Sequence, residues 1–207
     1  MSILVAVPCM DMVHTDFAFS LACLHHGEGV SFAHTKSSLV YDGRNKLANL
    51  AINGGFDSVL WLDSDMVFDH DLLYRLSEDL DAGMDMVCGL YVTRRDKIHP
   101  VIFKEIGYAL DDETGTATPI NERYSDYPKD SVFQVEACGF GGVMMKTSLL
   151  SEVKAKYGLP FSPVLGFGED ISFCLRVKEL GKKIYCDSRV KLGHIGNKTY
   201  TEDDINA

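Results

Sequence analysis

No apolar run in the 207 residues approaches the roughly 18 needed to cross a bilayer, so integral membrane association is not expected. Positive charge is also scarce: 20 Lys and Arg stand against 30 Asp and Glu, a formal net charge of -10. A phosphate backbone is repelled by such a chain unless folding gathers its cations on one face, so bulk nucleic-acid binding is disfavoured. None of the six cysteines, Cys9, Cys23, Cys88, Cys138, Cys174 and Cys186, belongs to a CxxC pair, which removes the spacing of a structural zinc site. Most lie among apolar neighbours, as in VCGL and IYCD, and are expected as reduced core residues of a cytoplasmic protein rather than a disulfide framework. Met1 leads straight into ILVAV with neither a basic stretch nor a small-residue cleavage site, so no secretory leader is expected. No internal repeat or linker is visible, and the length suits a single domain, 1–207, with the tail from about residue 197 expected to be loose.

What the sequence does contain is an ordinary foldable balance, 46% hydrophobic and 24% charged, which excludes the composition of a disordered chain. Apolar runs bounded by turn residues alternate with stretches of helical period, the pattern of an α/β domain whose central sheet is mostly parallel and flanked by helices. Strands are expected at residues 3–7, Val30 to Thr35, 58–62 and 85–92. Helices are expected from about His14 to His26, after a cap at Asp42 as far as Gly54 and Gly55, and from near Asp69 to just before Gly83. Beyond residue 92 the alternation breaks: Val101 to Leu110 and the polar stretch Asp111 to Asp130 read as a hairpin and a long surface loop. Order returns with a strand near Val132 to Ala137, the GFGG turn at Gly139 to Gly142, the VMM strand, a helix from Thr147, another from Glu169 to Leu180, and the strand KKIYCD.

The sharpest local signal is SVLWLDSDMVF, in which an apolar strand delivers Asp63 and Asp65 at its C-terminal end, where open α/β sheets bind ligands. With Ser64 between them at a turn, the two carboxylates can face one ion. Two hard oxygen ligands suit Mg2+ or Mn2+, which can bridge to substrate phosphates. The same pair could instead mark a turn and cap the following helix.

The hhhhDxD strand resembles the hallmark of GT-A glycosyltransferases, in particular the family 2 group that contains cellulose and chitin synthases. The resemblance extends to Arg44 and Asn45 in YDGRNKLANLAINGGFDSVLWLDSD, to GFGGVMMKTSLL, and to GFGEDISFCLRVKELGKKIYCDSRVKLGHIG. It spans roughly residues 3 to 196 and implies a GT-A, Rossmann-like single domain. The implied activity is metal-dependent transfer of a sugar from a nucleoside-diphosphate donor, a UDP- or GDP-sugar, to an acceptor hydroxyl by single displacement. By resemblance, Asp65 binds Mn2+ or Mg2+ directly, Asp63 contacts the metal or the donor's ribose, and His194 completes the ligand set. Asp170 is the implied base that takes the acceptor's proton, with Glu169 supporting it or binding acceptor hydroxyls; both could otherwise simply favour a helix N-terminus. Pro8 lies where the family begins its base pocket, unless it only ends a strand. Arg44 is expected to pair with Asp63 or approach the diphosphate, Ser64 to line the donor site, and Gly141 and Gly142 to allow close approach of substrate or to form a tight turn. Lys198 and Tyr200 sit in a tail that folds over the donor in some relatives.

Three other readings use the same residues. Asp63, Asp65 and Val67 also satisfy the DxDx[T/V] motif of haloacid dehalogenase-type phosphatases, but that motif belongs on a first strand, and GED at 168–170 runs into ISF without a second Asp. A sugar nucleotidyltransferase needs a GxGTR-like loop, and VPCMDMVH has no glycine. A non-catalytic nucleotide-sugar binding module would have no need of Asp63, Asp65, Glu169, Asp170 and His194 together. The donor's base and sugar, and the acceptor, are not legible.

Overall fold

In the computed structural model, residues 1–95 and 97–206 are described. A seven-stranded sheet forms the centre. It contains β1 (Ile3–Cys9), β2 (Val30–Lys36), β3 (Ser58–Leu62), β5 (Met86–Leu90), β8 (Val132–Val135), β10 (Gly142–Lys146) and β11 (Ile184–Lys191), in the spatial order β2-β1-β3-β10-β5-β11-β8. All of these run one way except β10 and β8, which pair antiparallel with their neighbours. The sheet is thus mixed but mostly parallel, as the alternation of strands and helices implies.

Strand alternation explains why β1 can be apolar throughout. Leu4 and Ala6 point to one face and pack with Leu47, Ala48 and Ala51 of α2 (Val40–Asn53), Leu149, Leu150 and Val153 of α4 (Thr147–Tyr157), and Phe173 and Val177 of α5 (Glu169–Glu179). Ile3, Val5 and Val7 point to the other, against Phe17 of α1 (Thr15–Ala22) and Leu72, Leu73, Leu76 and Leu80 of α3 (Leu72–Asp81). Both faces of the sheet are therefore covered, and continuous apolar runs replace polar–apolar alternation. Gly83 and Gly181 follow α3 and α5 with φ of 102° and 70°, the left-handed turn that ends a helix.

Several boundaries differ from those expected. Helix α1 stops at Ala22 because the chain turns away and the amide of His25 donates to the carbonyl of His70 at 2.7 Å. Asp42 does not cap α2: Leu39 holds that position, and Asp42 lies in the first turn, bound to Lys46 at 2.6 Å and to the Ser37 hydroxyl at 3.1 Å. Asp69 precedes α3 by a turn, its carbonyl accepting from Leu72 N at 3.2 Å. The polar stretch after Leu110 holds β7 (Ala117–Arg123), which pairs with β6 (Ile102–Leu110) in a hairpin. The strand expected at Val132 to Ala137 divides, with β8 on the main sheet and β9 (Ala137–Cys138) on β6. Cys88, Cys138, Cys174 and Cys186 are free and buried as expected, whereas Cys23 is exposed.

A second small sheet joins distant parts of the chain: β4 (Met66–Val67), β12 (Gly193–Ile195) and β13 (Thr199–Tyr200), in the order β13-β12-β4. The C-terminal segment expected to be loose is docked in this way and ends in a 3-10 helix, Glu202–Asn206. Glu202 accepts from Tyr127 Oη at 2.5 Å and pairs with Lys129 and Lys191, each at 2.6 Å. Among the described residues, no helix is long and apolar enough to cross a membrane.

Candidate functional site

Beyond β3 the chain turns at once: the amide of Met66 donates to the carbonyl of Asp63 at 3.2 Å, closing a four-residue turn that holds Asp63, Ser64 and Asp65 at the strand's C-terminal end. The amide of Asp63 is held in turn by the carbonyl of Gly141 at 3.3 Å. The register of β12 on β4 places His194 opposite Met66, and the amide of Ile195 donates to the carbonyl of Asp65 at 2.8 Å. His194 Nε2 thereby comes to 3.6 Å from Asp65 Oδ2. Its other nitrogen, Nδ1, lies 2.8 Å from the carbonyl of Val92. A carbonyl only accepts, so Nδ1 carries a hydrogen, and Nε2 is the nitrogen that faces Asp65. The ring is also braced edge-on by Tyr91 at 5.5 Å.

The other carboxylates meet at Arg44. This side chain is 2% exposed, and its guanidinium donates through Nη2 to Asp63 Oδ1 at 2.7 Å and through Nε to Glu169 Oε1 at 3.2 Å, with the Phe140 ring 5.0 Å away. Burial works against the cation, but Asp63, Glu169 and Asp170 more than reverse that and hold Arg44 charged. Burial raises the Asp63 carboxyl to about 6 against the pull of Arg44, with Asp65 and Glu169 adding repulsion. Asp65 is lowered: burial opposes ionisation, but His194 and Arg94 outweigh it. Asp170 is raised by burial and then by Glu169, while its Oδ1 accepts from the amide of Ile171 at 2.8 Å. Both acids sit in the first turn of α5, where the helix dipole favours negative charge.

These groups border a groove of about 450 Å3 at the C-terminal ends of β1, β2 and β3, lined among others by Pro8, Met10, Thr35, Arg44, Asp63, Ser64, Asp65, Arg94 and Glu169. Six residues expected in the site, Pro8, Arg44, Asp63, Ser64, Asp65 and Glu169, are thus on one wall or another. His194 stands beside Asp65, and Asp170 sits next to Glu169 without lining the groove. Gly141 and Gly142 do not line it either. A Cβ on Gly141 would meet Met66 Sδ at 2.9 Å and Tyr91 Cζ at 3.0 Å, and one on Gly142 would meet Leu192 Cδ2 at 2.6 Å, so both serve close packing behind the turn. Lys198 is also elsewhere, paired with Asp204 at 2.5 Å and 58% exposed. The residue that sequence reasoning missed is Arg94, whose Nη1 donates to Asp65 Oδ2 at 2.6 Å. Its signal was a basic pair, Arg94 and Arg95, just beyond a strand whose C-terminal end faces ligands.

The donor set fits a divalent ion in part. Asp65 offers a carboxylate oxygen and His194, when neutral, an imidazole nitrogen beside it, a combination suited to Mn2+. Asp63, the expected third ligand, is committed to Arg44, and among the described residues no group of three His, Cys, Asp or Glu is arranged to hold an ion. A metal here would take its remaining ligands from water and from a bound phosphate.

No protein-family model matches the sequence, and no curated protein matches it. Solved structures do. The crystal structure of A197 from STIV superposes with a TM-score of 0.66 at 17% identity, covering 99% of this chain and 95% of that one. The structure of 4-diphosphocytidyl-2C-methyl-D-erythritolsynthase from Anaerococcus prevotii DSM 20548 superposes with a TM-score of 0.52 at 9% identity, covering 99% and 92%. At these identities the likeness establishes a Rossmann-like α/β architecture over the whole chain and leaves the chemistry to be argued from the groove.

Proposed function

We propose that the chain is a GT-A-type glycosyltransferase that binds a nucleoside-diphosphate sugar in this groove and transfers the sugar to an acceptor hydroxyl. The observation that carries the reading is the convergence of Asp65 with His194, 129 positions later, beside the Arg44–Asp63–Glu169 network. These residues come from the separate stretches that resemble the glycosyltransferase family, and the fold brings them to one end of one sheet. A nucleotide ligand is supported more weakly by the diphosphocytidyl compound in the name of one structural neighbour.

In this reading Pro8 and Thr35 flank the base and ribose, and Arg94 and the DSD turn face the diphosphate. Bound at Asp65 and His194, Mg2+ or Mn2+ would offset charge on the departing diphosphate. Arg44 keeps Asp63 and Glu169 in place. Asp170, made more basic by its burial, accepts the acceptor's proton on Oδ2 as the acceptor oxygen forms its bond to the anomeric carbon. The bond from that carbon to the diphosphate oxygen breaks, and its electron pair leaves with the nucleoside diphosphate. A cytoplasmic setting suits the chain's free thiols.

The test is release of UDP or GDP from a panel of donor sugars with Mn2+. Release that is lost in Asp65→Ala and slowed at least a hundredfold in Asp170→Asn is expected. Nucleotide binding without release under any condition would leave only a binding module. Pyrophosphate from a nucleoside triphosphate would point to a nucleotidyltransferase, and phosphate from simple monoesters to a phosphatase.

A further inference from the structure

Arg94 stands where a cation at Asp65 would stand. Its Nη1 donates to Asp65 Oδ2 at 2.6 Å and to the carbonyl of Ile195 at 2.7 Å, and His194 Nε2 faces the same Asp65 oxygen at 3.6 Å. The guanidinium thus sets its positive charge on the same carboxylate oxygen that the imidazole faces. Neither contact is accidental to the backbone. Gly196 leaves room for the arginine stem, since a Cβ there would lie 3.3 Å from both Cβ and Cδ of Arg94.

The residue is also free to leave. Its loop is closed at the base by Thr93 N donating to the carbonyl of His99 at 2.9 Å and by the bridge between Val92 and Pro100, while the Arg94 side chain is 44% exposed and lines the groove. The base is fixed and the guanidinium can swing. A divalent ion on Asp65 Oδ2 and His194 Nε2 would share that oxygen with Nη1, and two cations cannot share one carboxylate oxygen at contact distance without strong repulsion.

We propose that Arg94 is a resident counter-cation of the Asp65–His194 pair, displaced when a divalent ion binds and then taken up by a phosphate of the nucleoside diphosphate. The proposal rests on the metal-dependent donor site described above. The planar guanidinium fork suits a phosphate, so the ligand that brings the phosphate also compensates Arg94 for losing Asp65. Metal and nucleotide then strengthen each other's binding through one side chain, a coupling that is reciprocal by linkage.

The experiment is a Mn2+ titration of the full chain, following free Mn2+ by electron paramagnetic resonance, with and without UDP and GDP. Wild type, Arg94→Gln and Asp65→Asn are compared, with thermal melts as a check on folding. Without nucleotide, Arg94→Gln is expected to bind Mn2+ about tenfold more tightly than wild type, equivalent to about 1.4 kcal/mol. Nucleoside diphosphate is expected to tighten Mn2+ binding in wild type by a larger factor than in Arg94→Gln, and Asp65→Asn is expected to bind no Mn2+. Equal or weaker Mn2+ binding by Arg94→Gln without nucleotide overturns the role of Arg94 while leaving the metal site intact. Absence of Mn2+ binding in both wild type and Arg94→Gln, with nucleotide present, overturns the metal-dependent reading together with it.

Discussion

Arg44 and Glu169 lie 125 positions apart and meet at 3.2 Å, Nε to Oε1, so the helix after β2 and the helix before β11 are joined across the floor of the groove by one buried guanidinium. The same side chain reaches Asp63 at 2.7 Å, which makes it the common partner of two carboxylates rather than a surface cation. Arg44→Met would leave both acids without their cation and put an apolar side chain where the buried guanidinium held them at the edge of the groove. It is expected to lower stability by about 3–5 kcal/mol in urea unfolding. A loss below about 1 kcal/mol would show that the network is solvated and worth no more than a surface pair.

Much of this was legible in the sequence, for identifiable reasons. The apolar runs at 3–7 and 58–62 read as buried strands, and the glycines after α2, α3 and α5 marked where those helices stop, whereas α1 ends well before Gly27. The order of Arg44, Asp63, Asp65, Glu169, Asp170 and His194 suggested a site that the fold gathers at one end of the sheet. Arg94 was not legible, because its partners Asp65 and Ile195 are 29 and 101 positions away and its local sequence reads as an exposed loop. The docking of the C-terminal segment was hidden in the same way, since it depends on Tyr127, Lys129 and Lys191. Gly141 and Gly142 stayed open between substrate approach and a tight turn because a glycine that makes room for substrate and one that makes room for Leu192 or Tyr91 look identical in sequence.

The C-terminal segment should undock in acid. Burial opposes ionisation of Glu202, but hydrogen bonds from Lys129, Lys191 and Tyr127 lower its carboxyl to about 2 from an ordinary 4.5. A depressed acid contributes stability above its unfolded value and loses it as the pH falls toward its folded value. Docking is therefore full above about pH 4.5 and fades as the pH approaches 2. The contribution is at most about 3 kcal/mol, and less after screening of the partly exposed lysines. The protection of amides at 199–206, relative to the intrinsic exchange rate at each pH, should fall over that window, and Glu202→Gln should show reduced protection already at pH 7. Unchanged protection in Glu202→Gln would mean that the pairing of β13 with β12 holds the segment unaided.

A second acid works in the opposite sense. Asp79 on α3 is 5% exposed, its Oδ2 has no hydrogen-bond partner among the described residues, and Arg189 stands 3.6 Å from Oδ1 while bonding Asp187 at 2.8 Å. Burial, and then the charge of Asp187, raises the Asp79 carboxyl to about 6 from 3.8. The folded state therefore holds the proton more tightly than the unfolded one. The penalty for ionising Asp79 is absent below about pH 3.8, develops between there and 6, and is complete above 6. Asp79→Asn should match wild type at pH 4 and exceed it at pH 8 by about 1–3 kcal/mol in urea unfolding. Lower stability than wild type at pH 8 would show that the attraction of Arg189 outweighs burial.

Gly139 links packing to the proposed metal ligands. A Cβ on this residue would lie 2.0 Å from Tyr91 Oη, 3.0 Å from Tyr91 Cζ and 2.7 Å from Val101 Cγ1, so Gly139→Ala forces the tyrosine or the strand to move. Tyr91 is 7% exposed and its ring braces His194 edge-on, which leaves little space for it to retreat without turning the imidazole. Overpacking of this kind costs about 1–3 kcal/mol. Gly139→Ala is therefore expected to melt earlier and to bind Mn2+ more weakly than wild type, because His194 Nε2 no longer holds its line to Asp65. Adding Tyr91→Phe deletes the oxygen that makes the shortest contact, while the ring that braces His194 stays. The double variant should recover part of both the stability and the Mn2+ affinity. Recovery of stability without recovery of Mn2+ affinity would separate the packing role of Tyr91 from any hold on His194. Recovery of neither would assign the obstruction to Val101, whose 2.7 Å contact the second substitution leaves in place.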